Sequence, residues 1–130
     1  MKIKKEMTKK DLIQFEKEIA QLYERAKIMA PVHLVKGNED KLIKIFKDYK
    51  EGDWIFSTHR SHYHWLLSGR DPEELKQHIL QGHSMHIFSH KFFTSAIVGG
   101  NAPIALGVAM ALKIKKSPRK VWCFVGDMAA

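Results

Sequence analysis

Val121-Trp122-Cys123-Phe124-Val125-Gly126-Asp127 is the stretch on which the reading of this chain turns. An apolar run bounded by a glycine and then a carboxylate has the form of a short buried β-strand with a polar residue just past its carboxyl end. In open α/β sheets, ligands bind at that edge. An aspartate there suits a hard cation, and the cation in turn holds a phosphate. The sequence stops at Ala130, so the first piece of a cofactor site is expected here and the rest of it beyond.

Working back from this strand, Ser117-Pro118-Arg119 forms the turn before it. Ile97-Val98-Gly99-Gly100-Asn101-Ala102-Pro103 leads into a helix of small residues, Ala105, Gly107, Ala109 and Ala111, able to approach a sheet closely. Gly82–Ser95 lacks periodicity and is expected to be a long loop of functional type. Asp71-Pro72-Glu73-Glu74 starts a helix, with a cap, a proline at the first position and acids in the first turn; it runs to about Leu80 and stops before Gly82. Thr58–Trp65 is dense in histidine, and Asp53–Ser57 is a short extended segment. Asn38 can cap a helix carrying Leu42, Ile45, Phe46 and Tyr49 on one face, ended by Gly52. Val32–Gly37 is a connector with some strand character. Thr8 with Asp11 is a variant capping box, followed by Leu12, Phe15, Ile19, Leu22, Tyr23 and Ala26 at helical spacing, with Pro31 as the limit. Glu16, Lys17, Glu18, Glu24 and Arg25 are expected on the polar face. The result is the start of an α/β domain. Partner strands for Val121–Val125 are expected from beyond residue 130 or from another chain, unless Asp53–Ser57 pairs with it.

The 130 residues suit one domain or less, and the 45% apolar share is ordinary. Lysine and arginine number 22 against 14 aspartates and glutamates, for a net charge of +8. The excess sits at Lys2, Lys4, Lys5, Lys9 and Lys10 and at Lys113, Lys115, Lys116, Arg119 and Lys120. Aromatics are not interleaved with these runs as a single-strand binder requires, so no nucleic-acid partner is expected. The single cysteine, Cys123, forms no intramolecular disulfide; within an apolar run it is expected to be an inert buried thiol, which fits a reducing, cytoplasmic compartment. No apolar segment follows the basic start as in a signal peptide. No apolar run approaches the roughly 20 residues that span a membrane, so no membrane partner is expected.

Five motifs in order carry a resemblance. They are Pro31-Val32-His33-Leu34 with Gly37-Asn38-Glu39, Ser57-Thr58-His59-Arg60-Ser61-His62, Gly82-His83-Ser84-Met85-His86, Ile97-Val98-Gly99 through Pro103, and Gly126-Asp127. From about Phe15 to Ala130 the chain resembles the α subunit of thiamine-diphosphate-dependent 2-oxo acid dehydrogenases, the decarboxylating first component of the pyruvate, branched-chain and acetoin dehydrogenase complexes. The resemblance implies the N-terminal part of a transketolase-like, doubly wound α/β fold that binds thiamine diphosphate and is incomplete at its C-terminus. Residues 1–30 would be an N-terminal amphipathic helix and residues 31–130 the start of the cofactor domain.

The resemblance also implies roles. Asp127 matches the first Mg²⁺ ligand of the family's G-D-G…N-N motif. Arg60 matches the arginine of Y-R-x-H that grips the diphosphate, where a guanidinium suits phosphate by its bidentate geometry; His59 stands where the family has tyrosine. His62 matches the histidine of that motif and is the catalytic candidate. His33 matches a histidine near the substrate carboxylate. Ala96, in place of the usual glycine, and Val98 match positions whose backbone contacts the aminopyrimidine ring. Met128, in place of the second glycine of G-D-G, and Ala129 fall where the chain passes the diphosphate. The second metal ligand and the helix receiving the diphosphate would lie beyond Ala130.

In such an enzyme the β subunit supplies the glutamate that activates the cofactor, and the acyl group of a 2-oxo acid passes to a lipoyl-bearing acyltransferase. A heterotetramer with that β subunit is implied, in which these 130 residues alone are inactive. Three alternatives stand beside this reading: a non-catalytic or truncated paralogue, a carboligase using the same cofactor, and a zinc-binding module built from His59, His62, His64, His83, His86 and His90.

Overall fold

The computed structural model describes residues 6–127. Helix α1 (Lys9–Glu24) begins at Thr8, whose side chain accepts from Asp11 N at 3.3 Å while Asp11 accepts from Thr8 N at 3.0 Å, the expected capping box. Its buried face is Leu12, Phe15, Glu16 and Ile19. Glu16 is therefore enclosed and not on the polar face. Helix α2 (Glu39–Phe46) follows Asn38, whose side chain makes no capping bond. Val32–Gly37 passes without strand structure.

Strand β1 (Trp54–Ser57) leads to the short helix α3 (His62–Leu67), and α4 (Pro72–Leu80) starts where Asp71 accepts from Glu73 N at 3.0 Å. The segment expected to be a long loop contains a tight hairpin, β2 (Phe88–Ser89) and β3 (Phe92–Thr94), followed by α5 (Asn101–Ile114) and β4 (Val121–Cys123). The hairpin turns at Lys91, a non-glycine residue at φ 58°, so no turn glycine marks it in the sequence.

The sheet order is β2-β3-β1-β4. β1 lies between two parallel partners, with Ile55 opposite Phe92 on one side and Trp122 on the other; β2 is antiparallel to β3. Asp53–Ser57 thus supplies the missing partner for the final strand. Alternation along the strands divides the side chains between two faces. Ile55, Phe92 and Trp122 belong to the core formed with α1 to α4, whereas α5, which contributes nothing to that core, packs on β1 and β4 from the other face. Helices on both faces make this an α/β sheet.

Trp65 of α3, fully buried, sits in the main core, edge to face with Phe92 at a ring-centroid distance of 5.0 Å and with its Nε1 donating to Asp71 O at 2.9 Å. Burying a side chain of this size is worth roughly 1.5–3 kcal/mol or more. The second face is thinly covered. Of α5 only Asn101 and Ala105 are buried, and Ile104, Leu106, Met110 and Ile114 are exposed.

Cys123 points to this second face at the edge of the sheet and is exposed, which corrects the expectation of a buried thiol. Among the described residues β4 has a neighbour on one side only, so an apolar sequence did not suffice to enclose it. Burial of part of the side chain still raises its pKa.

Candidate functional site

Because β1, β3 and β4 are parallel, their carboxyl ends lie at one edge of the sheet, and three loops leave that edge together. After Ser57 comes Thr58–Ser61, with His59 and Arg60. After Thr94 comes Ser95–Gly100, with Ala96 and Val98. After Cys123 comes Phe124–Asp127. The edge where open α/β sheets bind ligands therefore gathers residues far apart in sequence.

Backbone bonds extend the sheet into these loops, Ser95 N donating to Ser57 O at 3.2 Å and Phe124 N to Phe56 O at 2.9 Å. Asn101, the first residue of α5, ties the junction. Its Nδ2 donates to Ser57 O at 3.1 Å and to Phe124 O at 2.9 Å. One buried amide thereby holds the ends of β1 and β4 to the start of a helix.

Arg60 is exposed, and its Nη1 donates to Leu34 O at 2.8 Å, which draws the His33-bearing connector against the β1 loop. His33 and His59 meet edge to face with ring centroids 4.6 Å apart, and His33 Nδ1 is buried with no hydrogen-bond partner. Burial, together with the neighbouring His33 and Arg60, lowers the His59 pKa and favours its neutral ring. In the β3 loop, Ile97 N donates to Ser95 Oγ at 3.1 Å and Gly100 N to Ile97 O at 3.0 Å. Ile97 and Val98 stand exposed, and Gly99 takes φ 71°, a left-handed turn where glycine is unstrained. Asp127 is exposed at the end of the third loop. Met128 and Ala129 lie outside the described residues.

His62 is apart from this surface. It is fully buried, with Nδ1 2.9 Å from Glu16 Oε1 and Nε2 3.1 Å from Ser84 Oγ. The neighbouring His64 is also buried, its Nδ1 2.6 Å from Ser57 Oγ and its ring stacked 3.9 Å from Phe124. Burial, and secondarily His62, pushes the His64 pKa down to about 3. The zinc module does not assemble: among the described residues no group of three or more His, Cys, Asp or Glu is placed to hold a metal ion. Among the same residues no helix is long and apolar enough to cross a membrane.

Reading the sequence missed Glu16 and Asn101. Glu16 had a signal, since it stands four residues after Leu12 and three before Ile19, on the buried stripe. Asn101 had only its place at the start of an apolar helix.

Comparison with known proteins identifies the family. The family model described as dehydrogenase E1 component matches residues 7–130. The pyruvate dehydrogenase E1 component subunit alpha of Rickettsia prowazekii is 32% identical over 98% of this chain and 44% of its own length. The alpha subunit of the Bacillus subtilis acetoin:2,6-dichlorophenolindophenol oxidoreductase is 31% identical over 88% of the chain and 38% of its own length. The mitochondrial pyruvate dehydrogenase E1 component subunit alpha of Dictyostelium discoideum is 30% identical over 84% of the chain and 32% of its own length. The chain thus spans less than half the length of these curated relatives. With nearly every residue inside the matched span, the chain belongs to the dehydrogenase E1 component family.

Proposed function

We propose that this chain furnishes the diphosphate and Mg²⁺ side of a thiamine-diphosphate-dependent 2-oxo acid dehydrogenase, in the transketolase-like fold. The observation that carries this reading is the convergence of the Arg60, Ala96–Val98 and Asp127 loops at one carboxyl edge of three parallel strands. The donor set fits the group. An exposed guanidinium and an adjacent imidazole suit a diphosphate, an exposed carboxylate suits Mg²⁺, and the loop with exposed Ile97 and Val98 suits a flat heterocycle.

In this reading Arg60 and His59 hold diphosphate oxygens, and Asp127 gives one oxygen to the metal. The Ala96 and Val98 backbone would meet the aminopyrimidine. The buried, unpartnered Nδ1 of half-buried His33 suits a substrate carboxylate close to Arg60. His62, enclosed on both nitrogens, serves by holding the Arg60 loop. When bound, thiamine diphosphate supplies the electron sink for carbon dioxide loss from a 2-oxo acid. This chain's residues bind and orient; a β subunit completes the site, and a lipoyl-bearing acyltransferase takes the acyl group.

The methionine at position 128, where the family motif has glycine, favours one second reading, a non-catalytic paralogue. The test is to purify the protein together with its β subunit, titrate thiamine diphosphate with Mg²⁺, and follow acylation of a lipoyl domain with pyruvate and with acetoin. Saturable binding and acylation are expected. Binding without turnover on any 2-oxo acid favours the paralogue, and no binding at all overturns the proposal.

A further inference from the structure

Three buried polar side chains from distant parts of the chain form one hydrogen-bonded string. Glu16 comes from the middle of α1, His62 opens α3, and Ser84 lies between α4 and β2; they are 6%, 0% and 1% exposed. A carboxylate oxygen only accepts, so the ring donates from Nδ1 to Glu16 Oε1, and Nε2 shares a hydrogen bond with the Ser84 hydroxyl. Phe15 closes the ring edge at 6.1 Å. Glu16 Oε2 is buried without a partner. A buried carboxylate with a spare oxygen is a poor packing residue, and an apolar side chain of similar size holds a core at least as well. Its presence points to a task that packing does not perform.

The string runs on from Ser84. The Met85 carbonyl accepts from Thr94 Oγ1 at 3.2 Å, and that hydroxyl accepts from Ile87 N at 2.8 Å. Thr94 ends β3, directly ahead of the loop with Ala96 and Val98. His62 directly follows the loop with His59 and Arg60. A serine, a histidine and a glutamate in this order have the form of a hydrolytic relay. Here all three are enclosed, so the string orients and does not attack.

We propose that Glu16, acting through His62 and Ser84, is a positioning residue that locks the Thr58–Ser61 and Ser95–Gly100 loops to one another. The lock is a property of this chain; only what the loops hold rests on the thiamine diphosphate reading.

The test measures amide exchange in both loops, and thiamine diphosphate Kd with Mg²⁺, for the protein as purified and for Glu16→Leu, Glu16→Gln and Ser84→Ala. Glu16→Leu fills the space without the hydrogen bond, and Glu16→Gln keeps an acceptor. Expected are exchange and Kd both raised about tenfold or more in Glu16→Leu and Ser84→Ala, with Glu16→Gln near wild type. If Glu16→Leu does not fold, Ser84→Ala and Glu16→Gln decide. Exchange unchanged in both loops overturns the lock. So does loosening confined to the segment next to the substitution, whereas loosening of both loops that leaves Kd within twofold supports the lock and overturns the placement of the cofactor on these loops. Loosened loops in a protein whose wild type binds no thiamine diphosphate support the lock and overturn the cofactor reading instead.

Discussion

Asn101 joins two strand ends to a helix start, and its replacement has a size that can be worked out. The amide donates two neutral hydrogen bonds, to Ser57 O and Phe124 O. Net worth is about 1 kcal/mol for each. The Ser57 carbonyl keeps a second donor, Ser95 N, which holds the estimate down. Asn101→Ala is therefore expected to destabilise by about 2 kcal/mol, a fall of roughly 6–10 °C in Tm for a domain of this size. Asn101→Asp keeps the shape but turns a carboxylate toward two carbonyl oxygens, and an unpaired buried charge adds to the loss, for roughly 4 kcal/mol in all. Urea unfolding followed by tryptophan fluorescence measures both, with the midpoint expected to move and the slope to stay constant. The reasoning is refuted if Asn101→Asp is no worse than Asn101→Ala, or if Asn101→Ala loses less than about 0.5 kcal/mol.

Other expectations follow from the same structure. His64 titrates at about 3 in the fold and near 6.5 when unfolded, so the unfolded chain takes up the proton first. Stability is full above pH 6.5 and declines toward pH 3, by roughly 2 kcal/mol between pH 6.5 and 5; urea midpoints at several pH values should show this, and His64→Gln should flatten it. Burial alone would raise the Asp53 carboxyl. Donation from Lys120 N, Trp122 Nε1 and Lys50 N, with the Arg119 charge, outweighs that and holds it below its ordinary value. Its contribution is present above about pH 4 and lost below, so Asp53→Asn should weaken the protein at neutral pH and show a shallower decline in acid. Arg60→Ala should remove at most about 1 kcal/mol of stability, the bond to Leu34 O. It should raise the thiamine diphosphate Kd about 10–100-fold in calorimetric titration, with Arg60→Lys intermediate. An unchanged Kd in Arg60→Ala would remove this residue from the site.

Much of this was legible because it is local. The Thr8 and Asp71 caps, the stripe of α1 and the helix after Asn101 are written in neighbouring residues. The family resemblance likewise placed Arg60, Ala96, Val98 and Asp127 on segments that the fold brings to one edge. What was hidden depends on contacts between distant segments. The β2–β3 hairpin is too short for a periodic signal and turns through Lys91 without glycine. β1 shows in the sequence as the extended segment Asp53–Ser57, but its central place between β3 and β4 does not. Glu16 was misplaced because its charge was weighed above its position on the helix, and its partner His62 lies 46 residues away. Cys123 was misplaced for the opposite reason, since apolar sequence indicates what a strand tolerates and not what covers it.

The central place of β1 also sets an order of assembly. Its β3 neighbour and the core of α1 to α4 can come together once the chain has reached Thr94. The β4 neighbour arrives much later, and the Lys120–Asp53 contact that seats it closes 67 residues. Such distant pairings form slowly, because chain entropy must be surrendered before the contact rewards it. Refolding should accordingly show two fluorescence phases, an earlier one from Trp65 in the core and a later one from Trp122 on the last strand. Among the described residues, the edge that gathers the candidate site is then the last to take shape.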